Sequence, residues 1–163
     1  MISASACGGK LATTDSAGSD AGVSAQCNAL ELLSDTVTVS DHASASAYHT
    51  PITQPPEGTY VLLGSTRFTG SGPSGDHGTL SLTVEVTPDG WQVARSDDGG
   101  PVQRSTHTLD RLPDGRYFER GVCGATDIVV VSFAAITGTG FAFDIVDEAT
   151  GFVSVYQFRK IEK

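Results

Sequence analysis

Between Thr79 and Arg95 the chain spells out a hairpin. Leu80, Leu82, Val84 and Val86 fall at every second position, with Ser81, Thr83 and Glu85 between them. That is the period of a strand with one buried and one solvated face. Pro88-Asp89-Gly90 follows, a turn in which proline presets its own φ, aspartate tolerates tight geometry and glycine accepts a positive φ. Trp91 to Arg95 therefore returns antiparallel. A two-stranded ribbon cannot cover its own apolar face, so the rest of the chain must supply further strands or a covering layer.

It supplies strands. Apolar or aromatic runs recur at Thr59–Phe68, Thr79–Val86, Trp91–Ser96, Val102–Leu109, Arg116–Val122, Thr126–Ile136, Phe141–Val146 and Phe152–Ile161, separated by Gly, Pro and Asp clusters. Leu112-Pro113-Asp114-Gly115 repeats the turn of Thr87-Pro88-Asp89-Gly90. The connections are too short for parallel crossovers, so the sequence predicts eight consecutive antiparallel strands. Such a series closes into an up-and-down barrel, which removes the sheet edges, or splits into a two-sheet β-sandwich. The barrel is the preferred reading. Its expected core is Tyr60, Leu62, Leu80, Leu82, Val84, Val86, Trp91, Val93, Phe118, Ile128, Val130, Phe141, Phe143, Ile145, Phe152, Tyr156 and Phe158. A barrel mouth lined by Leu80, Leu82, Trp91, Phe141 and Phe143 would take a small apolar ligand.

Residues 58–163 thus form the β domain. Residues 1–25 are mostly Ser, Ala, Gly, Thr and Asp, with little apolar surface to offset the entropy of ordering, and read as a disordered tether. Residues 26–57 read as an extended docking segment and a connector kept out of helix by Pro51, Pro55 and Pro56. The Cys27–Val39 part is expected to cover a face of the last strand, where Val153, Val155 and Ile161 alternate with aromatics. His42 and His49 read as solvated linker residues. Three cysteines allow at most one bridge. Pairing Cys27 with Cys123 would staple the docking segment to the domain in an oxidising compartment; the alternative is two buried thiols in a reducing one.

A net charge of −9 and only 10 Lys and Arg leave no electropositive surface for nucleic acid. No apolar run reaches the length that spans a bilayer; the longest, Ile128 to Ile136, is interrupted by Ser132. The membrane enters only through Ala4-Ser5-Ala6-Cys7-Gly8-Gly9, where small residues before a cysteine are what a lipid-acylated Cys7 requires.

Signals for catalysis are thin. Gly70-Ser71-Gly72-Pro73-Ser74-Gly75 has the dinucleotide-binding spacing, yet it leads into another strand where that motif needs a helix N-terminus. No motif for a cofactor or a metal stands out, and Asp97-Asp98 and Asp147-Glu148 read as solvated turns. Ser105, His107 and Asp110 include a nucleophile, a base and an acid, but strand alternation puts only Ser105 and His107 on one face. Glu85, Glu119, Asp127 and Asp144 are expected to face solvent. The chain reads as a binding module and not an enzyme.

Cys7-Gly8-Gly9, the polar tether, Cys27-Asn28-Ala29-Leu30, Gly58-Thr59-Tyr60-Val61-Leu62, the lone later Cys123 and the closing Val153-Ser154-Val155-Tyr156 resemble a recurrent group of predicted myxobacterial lipoproteins without assigned function. The resemblance implies export to the cell envelope and a lipid anchor at Cys7. A domain that opens on Gly58-Thr59-Tyr60 and closes near Arg159 is similar to lipocalin-like barrels by analogy of fold. The expected function is therefore an exported, lipid-anchored module for a small apolar ligand or an envelope partner. The alternative is a structural or interaction protein of the envelope that holds no ligand.

Overall fold

The computed structural model describes residues 27–44, 53–124, 128–135, 140–147 and 149–162. Cys7, His49 and Asp127 lie outside them. Within the described residues the protein is all-β, with nine strands in a single sheet: β1 Val37–His42, β2 Gly58–Phe68, β3 Gly75–Thr87, β4 Gly90–Asp97, β5 Gln103–Arg111, β6 Tyr117–Cys123, β7 Ile128–Ala135, β8 Gly140–Val146 and β9 Val153–Lys160. From β2 to β9 each strand pairs antiparallel with the next. β9 then pairs antiparallel with β2, so these eight strands form a ring.

The ninth strand corrects the expected count of eight. β2 and β3 pair directly only over Gly58–Val61 and Thr83–Val86. Beyond that they part, and β1 enters between them, parallel to β2 (Val39 opposite Ser65, His42 opposite Phe68) and antiparallel to β3 (Val37 opposite Leu80). Val37 and Val39 at alternate positions pack on the core, while the Asp41 carboxylate takes a two-pronged hydrogen bond from Arg67 of β2, 2.9 and 2.6 Å. The sequence reads Val37 to Val39 as the extended end of the docking segment and the polar Ser40 to His42 as the start of the connector, so the strand itself is not expected. Its consequence is geometric. One added strand widens the ring by about 4.8 Å of circumference at the β1 end, leaving a narrow end and a wide end.

The narrow end is filled. Tyr60, Phe141, Phe158, Phe133, Trp91 and Tyr117 make a continuous chain of ring contacts with centroids 4.8 to 5.9 Å apart. Aromatic pairs of this kind add about 0.5–1.5 kcal/mol each beyond their area burial. The segment just before β2 lies against this end: the Gln54 amide N–H donates to the Tyr117 hydroxyl (2.9 Å), and the Tyr60 hydroxyl donates to the Pro56 carbonyl (2.6 Å).

Parity around β6 and β7 differs from the expected core. Tyr117, Val131 and Phe133 are buried, whereas Phe118 is 40% and Ile128 60% exposed and Val130 is half-buried; elsewhere Val93, Ile145 and Tyr156 pack against the core as expected, and Phe152 is half-buried before β9. The run Ile128-Val129-Val130-Val131 is apolar at every position, so it carries no alternation from which to choose a face.

The segment from Cys27 to Thr36 does not cover β9, as expected, but crosses the outside of β5, β4 and β3. Thr106 donates to the Cys27 carbonyl (3.1 Å), Asn28 to the Ser105 carbonyl (2.7 Å) and Arg104 to the Leu30 carbonyl (3.0 Å). Leu33 and Ser34 then donate their amides to the Thr83 hydroxyl, and the Leu82 amide donates to Ser34 Oγ (2.6 Å). The reason is local. Thr83, Ser81 and Thr106 present hydroxyls on those strands' outer faces, whereas the outer side of β9 already packs Val155 against Ala134 and Ala142. Cys27 and Cys123 are joined by a disulfide that anchors the start of this strap to the end of β6.

Candidate functional site

The wide half of the ring is not filled. A cavity of about 620 Å³ opens among β3, β4, β5, β6, β7, β8 and β9. Leu82, Val84, Val93, Val129, Phe143, Ile145 and Tyr156 form an apolar wall, with Phe143 and Tyr156 stacked at 4.8 Å. A second space of about 230 Å³ near β1 is lined by Leu80, Val39, Ser65, Arg67 and His77. Arg95, Asp97 and Tyr156 line both spaces, and the Arg95–Asp97 ion pair (2.7 Å) stands between them.

Ser105, His107 and Glu119 also line the larger cavity, as does Trp91. Ser105 and His107 are two apart on β5 and share its inner face; Glu119 comes from β6, where the pairing of Leu109 with Glu119 sets it beside that face. Ser105 Oγ lies 2.7 Å from His107 Nε2, and His107 Nδ1 lies 2.9 Å from Glu119 Oε1. The N–H axis of the ring is turned off the line to Oε1, which instead accepts a hydrogen bond from the indole N–H of Trp91 at 2.9 Å. Glu119 is 7% exposed. A carboxyl group so withdrawn from water depends on hydrogen bonding rather than on hydration.

Two close approaches fix this geometry. Trp91 and His107 are register partners, and Gly90 beside them has no side chain because a Cβ there would overlap the His107 carbonyl oxygen. At the wide end Gly124, with φ of 75°, turns against the Arg104 carbonyl and the Cys27 sulfur, where a Cβ has no room.

Of the five residues expected to line a cavity, Leu82, Trp91 and Phe143 face the larger one, Leu80 faces the smaller, and Phe141 lies in the packed narrow half. Asp110 does not join Ser105 and His107: it is exposed, on the opposite parity of β5. The acid near the histidine is Glu119, which sequence reading puts on the solvent side. Its signal was the alternation Tyr117-x-Glu119, legible only once β6 is set in register with β5. The Gly70–Gly75 motif forms the connection into β3, with a strand and not a helix after it. Among the described residues no group of three or more His, Cys, Asp or Glu converges as a metal site.

Comparison with protein-family models, with curated proteins and with solved structures finds no match to this chain.

Proposed function

We propose that the ring is a β-barrel, lipocalin-like in plan, that binds a small, mainly apolar molecule with one polar group. The observation that carries this reading is the cavity of about 620 Å³ in the wide half, apolar on the β3, β7, β8 and β9 sides and polar where Ser105, His107 and Glu119 meet it. That volume is in the range of small-molecule sites, and a few placed polar groups in an apolar pocket are what orients a ligand. The wedge of β1 supports the same reading, since it widens the end that is hollow and leaves the packed end narrow.

The Cys27–Cys123 bridge supports export, because structural disulfides persist in oxidising compartments. On this reading the domain is held in the cell envelope by a lipid on Cys7, as in the group of predicted lipoproteins that the sequence resembles.

Trp91 is the chain's single tryptophan and lines the cavity, so its emission reports occupancy. Titration with medium-chain fatty acids, fatty esters and polycyclic apolar probes should shift and quench it saturably for at least one class. Val93→Trp, which pushes an indole into the cavity, should weaken binding of a displaceable extrinsic dye. Unchanged emission with every class at saturating concentration would count against a binding cavity.

A second reading rests on the outer face of β6 and β7, where Phe118, Val122 and Ile128 are exposed. Apolar exposure of this sort suits an interaction protein. Light scattering of the wild type and of Phe118→Ser decides it: a concentration-dependent dimer lost in the variant favours association, and a monomer in both removes it.

A further inference from the structure

We propose that Ser105 is an activated nucleophile, with His107 as its base and Glu119 as the residue that positions the imidazole, and that the cavity acts on carboxylic esters of small apolar acids. This rests on the reading of the cavity as a small-molecule site. Three observations carry it. Ser105 Oγ and His107 Nε2 are 2.7 Å apart, inside the reach needed for proton transfer. The other ring nitrogen lies 2.9 Å from a carboxylate, the third member that such a base requires for orientation. Finally, all three side chains border the same cavity, so an ester carbonyl can reach Ser105 while its acyl chain lies along Val93, Phe143 and Ile145.

The His107 N–H does not yet point at Glu119 Oε1, and Nδ1 has no aligned hydrogen-bond partner. Poor alignment without substrate is common in such sites, where the bonds tighten in the substrate complex. Trp91 keeps Oε1 in place meanwhile. A purely structural carboxylate on Trp91 would not need the imidazole, and a serine placed only for packing would not need to face it.

The steps balance without any further reagent. Ser105 Oγ bonds to the acyl carbon as its proton moves to His107 Nε2. The carbon–oxygen bond to the alcohol then breaks, and Nε2 returns that proton to the departing alkoxide. Water attacks the acyl-serine, gives a proton to Nε2 and releases the acid, and the same proton restores the Ser105 hydroxyl. Arg95, held in an ion pair by Asp97 (2.7 Å), also lines the cavity.

The test uses the oxidised full chain with an alkyl fluorophosphonate, from which a nucleophilic serine displaces fluoride, and with p-nitrophenyl butyrate. The expected result is one phosphonyl adduct, mapped to Ser105, absent in Ser105→Ala and slowed by about a hundredfold or more in His107→Gln. Glu119→Gln keeps an oxygen for Trp91; as a positioning change it should lower kcat for the ester and leave KM unchanged, an outcome that a merely structural role does not give. No adduct at Ser105 while an apolar dye still shifts Trp91 emission overturns the nucleophile and leaves the binding cavity standing. Neither adduct nor dye response overturns both. Labelling that is equally fast in His107→Gln overturns activation by the base.

Discussion

Trp91 of β4 donates its indole N–H to Glu119 of β6 across the inner face of β5, with His107 lying between the two. A strand is bridged from inside the ring by the side chains of its two neighbours. Removing the donor leaves a side chain that is 7% exposed with only the misaligned His107 Nδ1, at 2.9 Å, beside its oxygen. Trp91→Phe should therefore cost more than its lost area, with about 1–3 kcal/mol from the unsatisfied group. In urea titrations the double variant Trp91→Phe, Glu119→Leu should recover part of that loss, which identifies the unsatisfied acceptor as its cause.

The bridge between Cys27 and Cys123 closes a loop of 96 residues in sequence separation. In the loop-entropy treatment this stabilises by about 4–5 kcal/mol, an upper figure because real bridges often deliver less. The strap's hydrogen bonds to Thr83, Ser105 and Thr106 involve no sulfur atom. Cys27→Ser, Cys123→Ser should fold and melt at a lower temperature, and dithiothreitol should lower the wild-type midpoint while leaving that of the variant unmoved.

Asp41 ties β1 into the wide end. The hydrogen bonds from Arg67 hold its carboxyl below the ordinary carboxylate range, against the opposing effect of burial. A carboxyl depressed in the folded state binds its proton less readily there than in the unfolded chain. Its contribution is thus full above about pH 4 and lost as pH falls through the folded value. Asp41→Asn should be less stable than wild type at pH 7, and the difference should shrink steadily below pH 4 in chemical denaturation series.

Gly90 sits where β4 passes β5 most tightly. Gly90→Ala would push the His107 carbonyl away and open the Trp91–His107 register, at a cost of about 1–3 kcal/mol. Thermal unfolding gives the magnitude. Trp91 emission should redden at the same time, because the indole loses its dry packing on Phe133.

How far such a site can be read from sequence depends on what kind of signal each residue leaves. Leu80 to Val86 alternate cleanly and their turn is marked by Pro88 and Gly90, so β4 and the end of β3 are legible to within a residue, whereas β3 starts at Gly75, four residues before the expected Thr79, in a Gly-rich stretch that reads as a loop. Ser105 and His107 are legible as a same-face pair for the same reason. Glu119 is not, because its burial comes from Trp91 and His107 on other strands, and no local property of Phe118-Glu119-Arg120 announces it. β1 is legible only as an extended stretch ending at Val39; the polar Ser40 to His42 complete it as a strand because β2 and β3 separate and leave backbone groups for it to satisfy. Phe118 and Ile128 mislead through size, as large apolar side chains that pairing in the sheet sets on the outer face.

The most direct measurement of the central claim is native mass spectrometry of the chain purified from an oxidising compartment without detergent, beside the Val93→Trp variant. A hollow wide end that takes a small apolar molecule predicts added mass on the wild type that leaves on denaturation, and a smaller liganded fraction for the variant. Wild-type protein that stays bare after incubation with each ligand class to which Trp91 emission should respond would contradict the account.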